Sequence, residues 1–170
     1  MTKHKILIPL DGSGLSREIL ATVDHFFTPE NAELVLLQTI EEIKPPRQDL
    51  PVDVALSVLV TPQRAAENYR KANPLNRYFE IEDALLYQHR EELDSVARSL
   101  QLRGFQTEVE VAVGNPSETI LERSRAGDID LIAMATHGRS GLSRLLLGSV
   151  AEEVLHNAPI PVLLLRPSGV

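Results

Sequence analysis

The chain has 170 residues, 43% of them hydrophobic, a formal net charge of −7 and no cysteine. That length suits one domain with a proper core, and an acidic chain without a basic cluster argues against nucleic-acid binding and a cationic membrane-surface face. The missing cysteines exclude disulfides, thiolate metal ligands and thiol nucleophiles. No run approaches the roughly 18 apolar residues of a membrane span. The start, Met1-Thr2-Lys3-His4-Lys5, leads into an apolar run too short for a secretory core, so the cytoplasm is the expected compartment.

Lys5-Ile6-Leu7-Ile8-Pro9-Leu10 reads as a strand covered on both faces. Asp11-Gly12-Ser13-Gly14 is a turn, followed by helical spacing that sets Leu15, Ile19, Val23 and Phe26 on one face. Residues 34–40 form a second buried-strand run. A helix is predicted over residues 81–102, with Leu86, Leu93, Val96, Ala97 and Leu100 as its apolar stripe and Gly104 as its stop. Residues 109–113 alternate with charge and predict a third, less buried strand. Asn115-Pro116-Ser117-Glu118 is a helix start with a capping Asn and Pro at the first helical position. Residues 130–135 give a fourth strand. Ser149-Val150-Ala151-Glu152 reads as a capping box opening a helix to about Asn157, and residues 160–165 give a fifth strand.

Strands alternating with helices imply an α/β fold: a five-stranded, mostly parallel, doubly wound sheet with right-handed crossovers and helices on both faces. Residues 41–79 break the alternation and hold five of the eleven prolines. Thr61-Pro62 suggests a helix ending near Asn73-Pro74. The expectation is a single domain over residues 1–170 carrying this segment as an insertion, as a lid, an interaction loop or a plain connection.

Ligands of open parallel sheets bind beyond the carboxyl ends of strands where the winding reverses. A reversal after the second crossover makes the first and fourth strands neighbours. Their ends carry Asp11-Gly12-Ser13-Gly14 and Met134-Ala135-Thr136-His137-Gly138-Arg139-Ser140-Gly141, the latter continuing to Gly148-Ser149 at a helix start. Glycines let backbone N–H groups approach an anion, and a helix N-terminus favours negative charge. Taken singly, Asp11 reads as a helix cap, Gly138 and Ser140 as turn residues, and His137 as a loop residue without a catalytic partner. His4, His25, His89 and His156 show no metal-ligand spacing. The segment from Asp11 to Ser16 has the wrong order for the Ser-Gly-Gly-x-Asp-Ser loop of adenylating enzymes.

Nine residues separate Gly138 from Gly148, and Ser149 follows. This spacing, its flanking text, the ending Ala-Pro-Ile-Pro-Val-Leu-Leu-Leu-Arg and the Gly114-Asn115-Pro116 turn resemble the universal stress protein family. Its nucleotide-binding members show Gly, two residues, Gly, nine residues, then Gly-Ser or Gly-Thr. The resemblance spans nearly the whole chain outside residues 41–79 and implies a Rossmann-like, adenine nucleotide alpha hydrolase-like fold. It further implies an adenine-nucleotide (ATP, ADP or AMP) binding regulatory protein of the stress response, with Mg²⁺ arriving on the nucleotide.

Carried over by position, Asp11 would bond ribose hydroxyls, and Thr39 and Ile40 would meet adenine chiefly through their backbone. Met134 would line the base; Gly138, Arg139, Gly148, Ser149 and Val150 would surround the phosphates. The motif's first glycine is Ala135 here, a methyl that would crowd ribose or diphosphate. Two alternatives follow: a homodimeric interaction protein of the same family that binds no nucleotide, and a slow ATPase. No identifiable base activates water, so any hydrolysis should be slow. The resemblance also implies a homodimer through Val162 to Leu165, an apolar edge that Pro159 and Pro161 limit, and a regulated protein partner.

Overall fold

The computed structural model describes residues 3–42, 74–136 and 147–166. The chain divides into two compact units, Met1–Glu42 with Gln88–Val170, and Ile43–Tyr87. The described part of the second unit, residues 74–87, is helical; sheet, core and site belong to the first.

One sheet contains β1 (His4–Pro9), β2 (Ala32–Ile40), β3 (Gln106–Val113), β4 (Leu131–Ala135) and β5 (Val162–Leu165), in the order β3-β2-β1-β4-β5. Every pairing is parallel. Among the described residues the helices are α1 (Gly14–Phe26), α2 (Pro74–Gln101), α3 (Pro116–Ser124) and α4 (Ser149–Asn157). This is the expected doubly wound, Rossmann-like arrangement, and it makes β1 and β4 neighbours.

The apolar runs bury on both sides because helices cover both sides. Ile6 and Ile8 join Leu34, Leu36, Ile19 and Val23 of α1, and Leu93, Ala97 and Leu100 of α2 in one core. Leu7 joins Val35, Leu37, Ile132, Ile120 of α3, and Ala151 and Val154 of α4 in the other. Burying each such Leu or Ile contributes about 1.5–3 kcal/mol. Right-handed crossovers force the change of face: winding runs outward from β1 to β3 beneath α1 and α2, then returns to β4 and β5 beneath α3 and α4.

Several boundaries differ from the sequence expectation. β3 starts at Gln106 because its backbone ladders with β2 from Glu33↔Gln106 to Ile40↔Val113 whatever the polarity of its side chains. α2 starts at Pro74 rather than residue 81, with Pro where its missing N–H costs nothing. Phe26 is 64% exposed instead of lying on the buried face, and Phe27, just past the helix, packs against the core in its place. The helix suggested at Thr61-Pro62 lies outside the described residues. Gly104 does close α2: its φ is +96°, its N–H donates to Gln101 O at 2.9 Å, and a Cβ there would press to 3.2 Å from Pro29.

β3 carries Glu108 and Glu110 on the α3 side, where an ion-pair network takes the place of an apolar row. Lys5 Nζ lies 2.9 Å from Asp128 and 3.0 Å from Glu108. Arg123 donates from Nε to Glu110 at 2.8 Å and from both terminal nitrogens to Asp128. Among the described residues no helix is long and apolar enough to cross a membrane.

Candidate functional site

Because β1 and β4 are parallel neighbours in register at Ile6↔Leu131 and Leu7↔Ile132, both run out at the same end of the sheet. β1 leaves its last core residue, Leu10, bonded to Leu37 O at 2.8 Å, then turns through exposed Asp11 and Gly12. Gly12 has φ +80°, a conformation costly for any residue with a Cβ. Ser13 is the N-cap of α1, accepting the Ser16 N–H at 3.1 Å. Asp11 is therefore not the cap; its Oδ1 accepts the Ser13 N–H at 3.0 Å and the Ser13 hydroxyl at 2.7 Å. The Ser16 hydroxyl donates back to Ser13 O at 3.0 Å. The carboxylate thus stands at the sheet end on a turn fixed by several hydrogen bonds.

β4 ends at Met134 and Ala135. Met134 is 5% exposed in the α3/α4 core, and Ala135 is 8% exposed in the opposite core. Both side chains are packing residues, so what this strand end offers outward is mainly backbone. Thr136, also buried, bonds from its N–H to Leu165 O at 2.8 Å. Thr39 and Ile40 end β2, half-buried, two strands from β4. The Ile40 carbonyl already accepts the Gly114 N–H at 2.9 Å, leaving its second lone pair for any ligand. Gly138 and Arg139, with His137 and Ser140, lie outside the described residues.

α4 begins one residue earlier than its sequence suggests. Gly148, not Ser149, is the N-cap, with φ −59° and ψ 152°, and among the described residues no side chain caps the helix. Glu152 N–H already donates to Gly148 O at 2.9 Å, so Glu152 stands one position too late to complete a capping box. The first amides of α4, at Ser149 and Val150, thus meet no capping side chain among the described residues, next to half-buried Gly148. By contrast Asn115 caps α3 as expected, accepting from Ser117 N at 3.0 Å and Glu118 N at 3.3 Å. Ser117 ties this cap to α4 through Glu153, 2.6 Å away.

The sequence reading overlooked two side chains beneath the β1–α1 turn. Gln38, 3% exposed, donates from Nε2 to His89 Nδ1 at 2.8 Å. Each had a signal: Gln38 is the polar break in an apolar strand, and His89 precedes Leu93 by one helical turn on the buried stripe.

An open, doubly wound, all-parallel sheet with helices on both faces defines a Rossmann-like domain. The chain belongs to the universal stress protein family, whose model matches residues 3–166. It is 28% identical over 162 residues to universal stress protein MJ0577 of Methanocaldococcus jannaschii, covering 95% of this chain and 94% of that one. The solved structure of MJ0577 superposes with a TM-score of 0.70 over the full length of both chains at 25% identity. The same fold, at 18% and 15% identity, appears in a universal stress protein in complex with cAMP (TM-score 0.56; 99% of this chain, 100% of that one) and in one from Arabidopsis thaliana with AMP bound (TM-score 0.57; 98% and 93%).

Proposed function

We propose that this protein binds an adenine nucleotide (ATP, ADP or AMP) in the crevice beyond β1 and β4 and acts as a nucleotide-dependent regulator in the stress response. The observation that carries the reading is the hydrogen-bonded Asp11 turn at the end of β1, beside β4, whose following helix starts at Gly148 with no side-chain cap among the described residues. Asp11 would take ribose hydroxyls. Gly138, Arg139, Gly148, Ser149 and Val150 would surround the phosphates, whose charge suits a helix N-terminus. Thr39, Ile40, Met134 and Ala135 would border the adenosine largely through backbone. The cAMP and AMP complexes of structural relatives support an adenine nucleotide as the ligand class. Mg²⁺ would be held mostly by phosphates and water.

On this reading the Ala135 methyl, packed in the α1/α2 core, would leave the crevice open. The edge position and half-burial of β5 support a homodimer formed through Val162–Leu165. The whole chain would then be one universal stress domain with residues 41–79 inserted, acting on a regulated protein partner in the cytoplasm. Calorimetric titration of nucleotide-stripped protein with ATP, AMP and cyclic AMP, Mg²⁺ present, tests the reading. Micromolar binding of one of them is expected; no heat at millimolar ligand overturns it in favour of a nucleotide-free interaction protein. Phosphate release from the same sample measures turnover, expected to be slow.

A further inference from the structure

We infer that Gln38 and His89 are positioning residues that hold the β1–α1 turn, and through it Asp11, in the geometry that reads a ribose. The inference rests on the nucleotide-binding reading above and adds to it the residues that set its selectivity for ribose over deoxyribose.

The α1/α2 core stops at this end of the sheet on two polar side chains. On the α2 side of β2, Leu34 and Leu36 are buried, and the next residue of the same row is Gln38. On α2, Leu100, Ala97 and Leu93 face that core, and the next position along the stripe is His89. Two apolar rows therefore end on polar side chains at the same end of the sheet, and these two bond to each other at 2.8 Å. A buried primary amide is costly to leave without a partner, so the pair fixes the Gln38 amide in one orientation.

That amide lies beneath the turn, about a methyl's width from Gly12. A Cβ on Gly12 would come 3.4 Å from Gln38 Nε2 and 3.9 Å from Glu92 Oε2. Glu92 is held in turn by Gln88, whose amide donates to its Oε1 at 3.2 Å. Gly12, with φ +80°, is the residue without a side chain between Asp11 and the cap Ser13, whose side chains bond to each other across it. The floor beneath that glycine is Gln38, oriented by His89, with Glu92 beside it. Displacing the amide would let Gly12 sink and would swing the carboxylate that Ser13 holds on the other side of the turn.

The experiment has one readout without ligand and one with it. Without ligand, amide hydrogen exchange at Ser13, whose N–H donates to Asp11, is compared in wild type, Gln38→Leu, His89→Leu and His89→Asn. Leu continues the apolar row at position 38, and Asn offers an acceptor near the place of Nδ1. Exchange at Ser13 should rise severalfold in both Leu variants and return towards wild type in His89→Asn, while Ser117 and Glu118, capped by Asn115 at the same end of the sheet, stay unchanged. Equal acceleration at Ser117 would mean general loosening and would overturn the inference, as would an unmoved Ser13.

With ligand, the ratio of affinities for ATP and 2′-deoxy-ATP is measured. A hydrogen bond to a charged group is worth roughly tenfold to a hundredfold, and the Leu variants should lose most of that preference, as Asp11→Asn should. A preference kept intact overturns the selectivity role. If wild type binds no adenine nucleotide while Ser13 exchange still responds, the nucleotide reading and its selectivity fall and the positioning of the turn stands.

Discussion

Asp11 Oδ1 accepts both the backbone N–H of Ser13, at 3.0 Å, and the Ser13 hydroxyl, at 2.7 Å. The same hydroxyl oxygen accepts the Ser16 N–H at 3.1 Å as the cap of α1. One side chain therefore serves two ends, the first turn of a helix and the orientation of a carboxylate. Ser13→Ala removes both services. Loss of the cap should cost about 1 kcal/mol, which for a chain of this size lowers Tm by roughly 2–4 °C. Nucleotide affinity should fall as well, because Asp11 loses a donor that holds it in place. Thermal unfolding followed by titration checks both, and an unchanged Tm would contradict the cap's contribution.

Ala135 occupies the place of a family glycine, and its burial settles what the methyl does to the fold. It is 8% exposed within the core shared with Ile6, Ile8 and α1. Ala135→Gly should therefore destabilise the protein by about 1 kcal/mol through strand entropy and lost packing. Affinity for adenine nucleotide should stay within twofold of wild type. A large gain in affinity on removing the methyl would show instead that it crowds the crevice.

Asp128 is held well below the usual carboxylate range, first by the Arg123 guanidinium and then by Lys5. Arg123 is correspondingly pushed up by its bonds to Asp128 and Glu110. A carboxylate with a lowered folded pKa adds stability that is full above its unfolded value, about 3.9, and is lost as pH falls through the folded value. Asp128→Asn should thus be less stable than wild type at neutral pH, by roughly 1 kcal/mol once solvent screening of a partly exposed group is allowed for. The gap should narrow from about pH 5 downward, and it should also shrink in high salt. Urea unfolding across pH gives the curve; a gap that stays constant with acid would place the effect in packing rather than charge.

The parts legible in the sequence are those whose cause is local. Asn115-Pro116-Ser117-Glu118 opens α3 because cap, proline and first-turn acid act within four residues. The run from Ile6 to Ile8 is a buried strand because both faces need apolar cover, and the carboxyl ends of β1 and β4 meet because alternating elements leave few topologies. What stayed hidden depends on partners far along the chain. Gln38 meets His89 across 51 positions, and Lys5 meets Asp128 across 123. Pro74 fits the end of one helix as well as the start of another until the backbone is seen. Ser149 satisfies a capping pattern, yet the helix begins one residue earlier, at Gly148.

That shift makes Gly148 the sharpest test of the site. Its φ of −59° suits any residue, so glycine is not required there by backbone conformation. A side chain that caps would be an improvement for the fold: Gly148→Asp would accept the first amides of α4 and set a negative charge at the positive end of the helix. The gain should be roughly 0.5–1 kcal/mol in ligand-free protein. Those same amides are the donors assigned to phosphate, and an aspartate that occupies them both blocks and repels the anion. Nucleotide affinity should therefore fall at least about tenfold, a loss of roughly 1.4 kcal/mol, while Tm rises. A variant that is both more stable and equally tight in binding would remove the start of α4 from the site.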